Sequence, residues 1–211
     1  MIRQAVDFFL HLDAHLGAMI RQYGAWSYVF LFLIIFGETG LVVASFLPGD
    51  SLLFAAGTFA ASGALSLKGL LVLLGAAAVA GNMTNYQIGL LAGPKVFHSE
   101  RLRLLNRRHL EETHRFYEKW GAMTIVLANF VPIIRTFASF LAGVGRMTRW
   151  RFSLFTAAGS LAWIFLVTLA GYLFGNIPAV RKNFTLVVAA IIVISVLPAA
   201  AGYIKSRAKR P

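Results

Sequence analysis

The chain has 211 residues, 58% of them hydrophobic, and a mean hydropathy of +0.72, which is more apolar surface than a soluble core of this length hides. Its formal net charge of +12 lies in short basic segments between apolar ones, the pattern of cytoplasmic loops rather than of a nucleic-acid surface. The absence of cysteine excludes disulfides and thiol chemistry.

Residues 1–23 carry Asp7, His11, Asp13 and His15, with Ile2, Val6, Phe9, Leu12, Leu16 and Ile20 at helical spacing. This predicts an amphipathic helix on the membrane surface, not a cleavable signal peptide. The apolar run from Ala25 to Gly37 is short for a span and crosses only if Glu38 sits near the far interface or faces a cavity. From Glu38 to Ser62 the apolar sequence is broken at Pro48-Gly49-Asp50, where proline stops a helix and glycine permits reversal. Two short helices around a break suit a re-entrant hairpin near 38–62, because irregular backbone at that depth must be covered by protein or line a wet cavity. A full span follows over 67–92, in which the small residues from Gly75 to Gly81 predict close helix packing.

The basic run Arg101–Arg108, with Glu111, Glu112 and Glu118, reads as a surface helix beside anionic lipid. Residues 123–145 repeat the broken design, this time around Pro132, and predict a second re-entrant hairpin. Further spans are expected over 152–175 and 184–204, ahead of a basic tail. Trp26, Trp120 and Trp150 lie where interfacial anchors belong; Trp163, inside a span, does not.

The two halves match. Ser45-Phe46-Leu47-Pro48 aligns with Asn129-Phe130-Val131-Pro132, Ala56-Gly57 with Ala142-Gly143, and the pair Gly89 and Gly93 with Gly171 and Gly175. The offset is 84 residues at the prolines and 82 at the later glycine pairs, Gly89 and Gly93 against Gly171 and Gly175. Interrupted segments at matching positions point to a transporter's binding site. With the N-terminus in the cytoplasm, the hairpins enter from opposite sides and both termini are cytoplasmic. Sixteen of the 20 Lys and Arg then face the cytoplasm, in keeping with the positive-inside rule. The fold expected is an all-α polytopic membrane protein, an inverted repeat with two opposed re-entrant hairpins plus transmembrane helices.

Charge within the apolar blocks marks the candidate site. Between Gly24 and Pro94 the only acids are Glu38 and Asp50, and from Thr124 to Val144 the only basic residue is Arg135. A charge at bilayer depth is costly and normally faces a partner or a cavity. The guanidinium of Arg135 can hold a lipid phosphate by two hydrogen bonds, with amide groups of the half-helix beyond Pro132 aimed at the same anion. Asn129 would add a neutral donor. Glu38 and Asp50 are the proton-coupling candidates: phosphate arriving at Arg135 displaces a carboxylate, which takes up a proton. The alternatives are that the acids merely neutralise Arg135 in a packed core, and that Asp50 caps the half-helix after Pro48-Gly49.

Glu38, the run Phe46-Leu47-Pro48-Gly49-Asp50, the segment Gly81-Asn82-Met83-Thr84-Asn85-Tyr86-Gln87-Ile88-Gly89 and the run from Asn129 to Ala138 together resemble the DedA family. The resemblance covers roughly residues 25–176. It implies opposed re-entrant hairpins, a site with two essential acids and essential arginines, and lipid-carrier transport, with members linked to undecaprenyl phosphate recycling, phospholipid movement and proton-dependent envelope homeostasis. It divides the chain into the N-terminal helix 1–23, a DedA-like transmembrane domain 24–176, and a C-terminal helix with its tail, 177–211. This sequence departs from the pattern twice: Asn129 stands where an arginine is common, and Asn82 where an aspartate is common.

The function expected is transport of a lipid phosphate such as undecaprenyl phosphate, or of a phospholipid, across the bacterial inner membrane, with proton coupling and no enzymatic activity, metal or cofactor. Its partners would be that lipid, the bilayer and, compatibly, further copies of the chain, with no nucleic acid. The competing readings are a proton-dependent transporter of another small substrate, an assembly factor, and an intramembrane enzyme. All five histidines lie outside the expected spans, which disfavours a Ser–His or metal-based enzyme at depth.

Overall fold

Long apolar runs without strand-like alternation fold as helices here, and all regular structure among the described residues is helical. The computed structural model describes residues 12–44, 49–98, 119, 121, 123–184, 186, 187, 190 and 191. Helix α1, Leu12–Tyr23, ends at Gly24, whose φ of +52° closes it at little cost. Helix α2, Trp26–Gly40, is followed by a 3-10 turn at Val42–Ala44. Then come α3, Gly49–Ala61, and α4, Leu67–His98. Residues 123–128 are helical, and after a turn the chain continues as α5, Pro132–Val144; α6, Arg149–Phe174; and the short α7, Pro178–Lys182.

Two of these are long and apolar enough to cross a membrane, over Leu67–Gly93 and Arg149–Phe174. Their 27 and 26 residues extend about 40 Å at about 1.5 Å per residue, more than a hydrocarbon layer of about 30 Å requires. The expected break near Pro48 is organised differently from the sequence reading. Of the two short helices expected around it, the one before the break is the end of α2, which runs through Glu38 to Gly40 ahead of the 3-10 turn. The first eleven residues, the Pro48 tip, Trp120, nearly all of the basic segment after His98, and most of 184–204 with the tail lie outside the described residues.

The chain forms two compact units, and several helices contribute to both. The first takes in Met1–Ile35, Leu47–Ala77 and Trp163–Pro211. In it α1 packs on α3, with Gly17 against the Phe59 ring, around a core that includes Leu16, Leu31, Leu53, Leu70 and Leu74. Tyr28 ties α2 to the start of α4 by accepting a 2.6 Å hydrogen bond from the Ser66 amide. The second unit takes in Phe36–Phe46 and Ala78–Ala162. Its core gathers Ile125, Ala128, Ala138, Ala142 and Met147 around Tyr86, which stacks on Phe152 at 4.4 Å between centroids and donates its hydroxyl to the Met147 carbonyl.

Each unit closes a 13-residue helix on a long one through glycines. In the first, a Cβ on Gly57 of α3 would strike the Thr168 carbonyl and the Tyr172 amide of α6, and one on Gly171 would strike the Phe54 carbonyl. In the second, a Cβ on Gly143 of α5 would strike the Tyr86 carbonyl and the Leu90 amide of α4, and one on Gly89 would strike the Phe140 carbonyl. The same atoms recur at the same spacing, and these are the glycines that aligned between the halves in sequence. The pairing is crossed: each short helix packs on the long helix of the other half.

Candidate functional site

The site is built where α5 begins. Pro132 takes the first helical position, where a missing N–H costs nothing, and Val131 before it is extended. The turn ahead is closed by backbone bonds from Asn129 to Val126, from Phe130 to Leu127 and from Val131 to Ala128. Helical geometry then divides α5 into two faces: Ile134, Phe137 and Leu141 are exposed, while Arg135, Thr136, Ala138, Ser139 and Ala142 are buried.

Arg135 is 1% exposed. Its Nη2 donates to Oε1 of Glu38, forming an ion pair between residues 97 apart in sequence, and its Nη1 donates to the Asn129 carbonyl at 3.3 Å. Glu38, also 1% exposed, lies in the last turn of α2. Around the pair, the Thr136 hydroxyl donates to the Glu38 carbonyl, and the Asn85 amide donates to the Thr39 carbonyl at 3.3 Å and the Thr136 carbonyl at 2.8 Å. Asn85 thereby stitches the end of α2 to the first turns of α5. A buried pair of this kind is a poor stabiliser but a ready exchange site: the carboxylate on a guanidinium N–H can be replaced by another oxyanion.

The Asn129 side chain is engaged elsewhere. Its amide donates to the Ile125 carbonyl at 2.8 Å, and its Oδ1 accepts from Ser160 at 3.0 Å. Ser160 accepts from Asn82, whose Oδ1 takes the Ser139 hydroxyl at 2.7 Å. The two positions at which the sequence departs from the family pattern thus meet on one serine.

Asp50 belongs to the first unit. It is half-buried in the first turn of α3, at the second helical position rather than the N-cap, and its Oδ1 accepts the Trp163 indole N–H at 2.7 Å. This explains why Trp163 is buried while Trp26 and Trp150 point outward. Of the four residues selected from sequence, Glu38, Arg135 and Asn129 come together within the second unit. Sequence reading missed Asn85, Thr136, Ser139 and Ser160 as members of the site. The available signal was Asn82 and Asn85, amides three apart on one face of a mostly apolar helix.

Residues 47–173 match the VTT domain, more than half of the chain. The chain is 49% identical to Protein DedA of Escherichia coli K12 over 92% of its own length and 89% of that protein's. It belongs to the DedA family. Within that family it is also 43% identical to the uncharacterized membrane protein Rv0364 of Mycobacterium tuberculosis H37Rv, covering 80% of this chain and 75% of that one. Identity to the inner membrane protein YqjA of E. coli K12 is 32%, over 74% of this chain and 70% of the relative. No solved structure matches the chain. As a DedA-family member it is a membrane protein, in agreement with its two long apolar helices.

Proposed function

We propose that this DedA-family protein is a transporter, not an enzyme, and moves a lipid phosphate such as undecaprenyl phosphate, or a phospholipid, across the bacterial inner membrane. The observation that carries this reading is the fully buried Arg135–Glu38 pair, a strong anion-binding fork held shut by an exchangeable carboxylate. A lipid phosphate oxygen takes the Nη2 hydrogen bond that Glu38 holds. The displaced carboxylate, left without its counter-charge in an apolar setting, takes up one proton, which offsets one negative charge brought in by the phosphate. Departure of the lipid reverses both changes, and each transport event thereby carries a proton. Asp50, the half-buried acid of the other unit, is the second proton-coupling candidate.

The arrangement that suits this is a multi-pass inverted repeat with opposed re-entrant hairpins and cytoplasmic termini, and the crossed, matching glycine contacts support it. In a chain without native cysteine, cysteines at Ser62 and Gly145 are expected to react with an impermeant maleimide from opposite faces. Labelling from one face would remove the inverted arrangement.

The transport reading is tested in liposomes carrying undecaprenyl phosphate. Arg135→Lys, a point charge without a planar fork, is expected to lose most translocation. Because Arg135→Gln alone strands a buried carboxylate, Glu38→Gln with Arg135→Gln is the cleaner null: it removes both charges, retains the fold and abolishes transport. Wild-type rates from that double variant would overturn the proposal.

A further inference from the structure

A directed chain of neutral hydrogen bonds runs through the second unit. The Ser139 hydroxyl donates to Asn82 Oδ1 at 2.7 Å, the Asn82 amide to Ser160 Oγ at 3.1 Å, the Ser160 hydroxyl to Asn129 Oδ1 at 3.0 Å, and the Asn129 amide to the Ile125 carbonyl at 2.8 Å. The second Asn82 amide hydrogen goes to the Ala78 carbonyl at 3.1 Å. All four side chains are buried, between 0 and 3% exposed. Each serine hydroxyl has one proton and spends it in the same direction along the chain, so the orientation of both amides is set. Close approach makes this possible: Gly159 leaves room for the Asn129 amide, which a Cβ there would meet at 2.7 Å.

The chain ends on the residue whose backbone carbonyl receives Nη1 of Arg135. A carbonyl in a turn has no helix to hold its direction, and the Asn129 turn is instead anchored through its side chain to α6 by Ser160. The consequence appears at exchange. When an incoming anion takes Nη2 from Glu38, the Nη1 bond to Asn129 still ties the guanidinium to the turn.

We propose that Ser160 is a positioning residue for Arg135, acting through Asn129, and that the chain from Ser139 to Asn129 pre-orients the fork for phosphate. The proposal rests on Arg135 being the phosphate-binding group, and it adds a residue on α6 that never touches the lipid.

The structure supplies a matched control. Thr156 is one turn earlier on α6, equally buried, and its hydroxyl makes no hydrogen bond. Ser160→Ala and Thr156→Val each delete one buried hydroxyl with little change in volume. Site-resolved phenylglyoxal labelling, read by peptide mass spectrometry at residue 135, reports whether the guanidinium is held, with no lipid needed. Ser160→Ala removes both the bond to Asn129 and the bond from Asn82. Arg135 is expected to be protected in the wild type and in Thr156→Val, and to label at least about fivefold faster in Ser160→Ala, the shift that loss of the Asn129 bond by itself produces. In liposomes carrying undecaprenyl phosphate, Ser160→Ala is expected to raise the lipid concentration for half-maximal rate by about the same factor, with the maximal rate little changed. Protection of Arg135 in Ser160→Ala equal to wild type, or equal exposure in Thr156→Val, overturns the positioning role. The labelling outcome stands whatever the transport result: if the Glu38→Gln/Arg135→Gln pair still translocates, the transport reading falls while labelling still decides whether Ser160 holds Arg135.

Discussion

The two units share a packing device and differ in what they bury. Each lays a 13-residue helix across a long one with glycines at both surfaces, so that backbone touches backbone. The second unit then buries an arginine, a glutamate, three asparagines and several hydroxyls, nearly all hydrogen-bonded. The first buries mostly Leu, Ala and Phe, and the acid in its apolar block, Asp50, is half-buried against an indole N–H. The scaffold is therefore indifferent to the chemistry placed on it. Glycine contacts set the distance between helices, and the polar side chains of one unit use that distance to meet.

Deleting each acid in turn separates the two units most strongly. Glu38→Ala leaves Arg135 as an uncompensated buried cation and should cost about 3–5 kcal/mol, read as a lowered unfolding midpoint in detergent. Asp50→Ala in the first unit removes a half-buried acceptor and should cost about 1–2 kcal/mol. Equal losses would mean that the two acids do equivalent structural work.

The shared device is tested by adding one carbon. Gly57→Ala and Gly143→Ala each force a methyl group into a carbonyl of the facing helix and should destabilise by about 1–3 kcal/mol, to a similar extent in both units. A large effect in one unit and none in the other would show that the crossings are not equivalent.

Trp163→Phe keeps an aromatic ring but removes the donor to Asp50 and part of a buried ring. A loss of about 2–3 kcal/mol is expected from the bond and the cavity together, with no change in the phenylglyoxal protection of Arg135. Exposure of Arg135 in that variant would couple what the comparison treats as separate. The smallest effect has the opposite sign. Gly37 lies within α2 with open space where its Cβ would be, so Gly37→Ala should stabilise by about 0.5–1 kcal/mol through helix propensity alone. A loss there would point to a close approach at Gly37.

Much of this architecture was legible in the chain because hydropathy and helix breakers act locally. The long helices at Leu67–Gly93 and Arg149–Phe174, the helix start at Pro132 and the isolation of Glu38, Asp50 and Arg135 follow from residue order alone. So did the alignment of Gly57 with Gly143 and of Gly89 with Gly171, though not what those glycines touch. Asn82 and Asn129 read as two separate departures from the family pattern. In the structure Ser160 joins them, and serine in an apolar helix gives no sign of which neighbour its hydroxyl will find. Asp50 reads as equivalent to Glu38 because both are lone acids in apolar sequence.

What the sequence determined by itself is therefore where helices run, where they break and which charges must find partners, since these depend on propensity and solvation over a few residues. The tertiary structure alone decided that Arg135 pairs with Glu38, 97 residues away, that Asp50 meets Trp163, and that four neutral side chains from distant segments form one directed chain. Those choices depend on how closely helices approach and in which direction a hydrogen-bond donor points, and neither is encoded in any one segment.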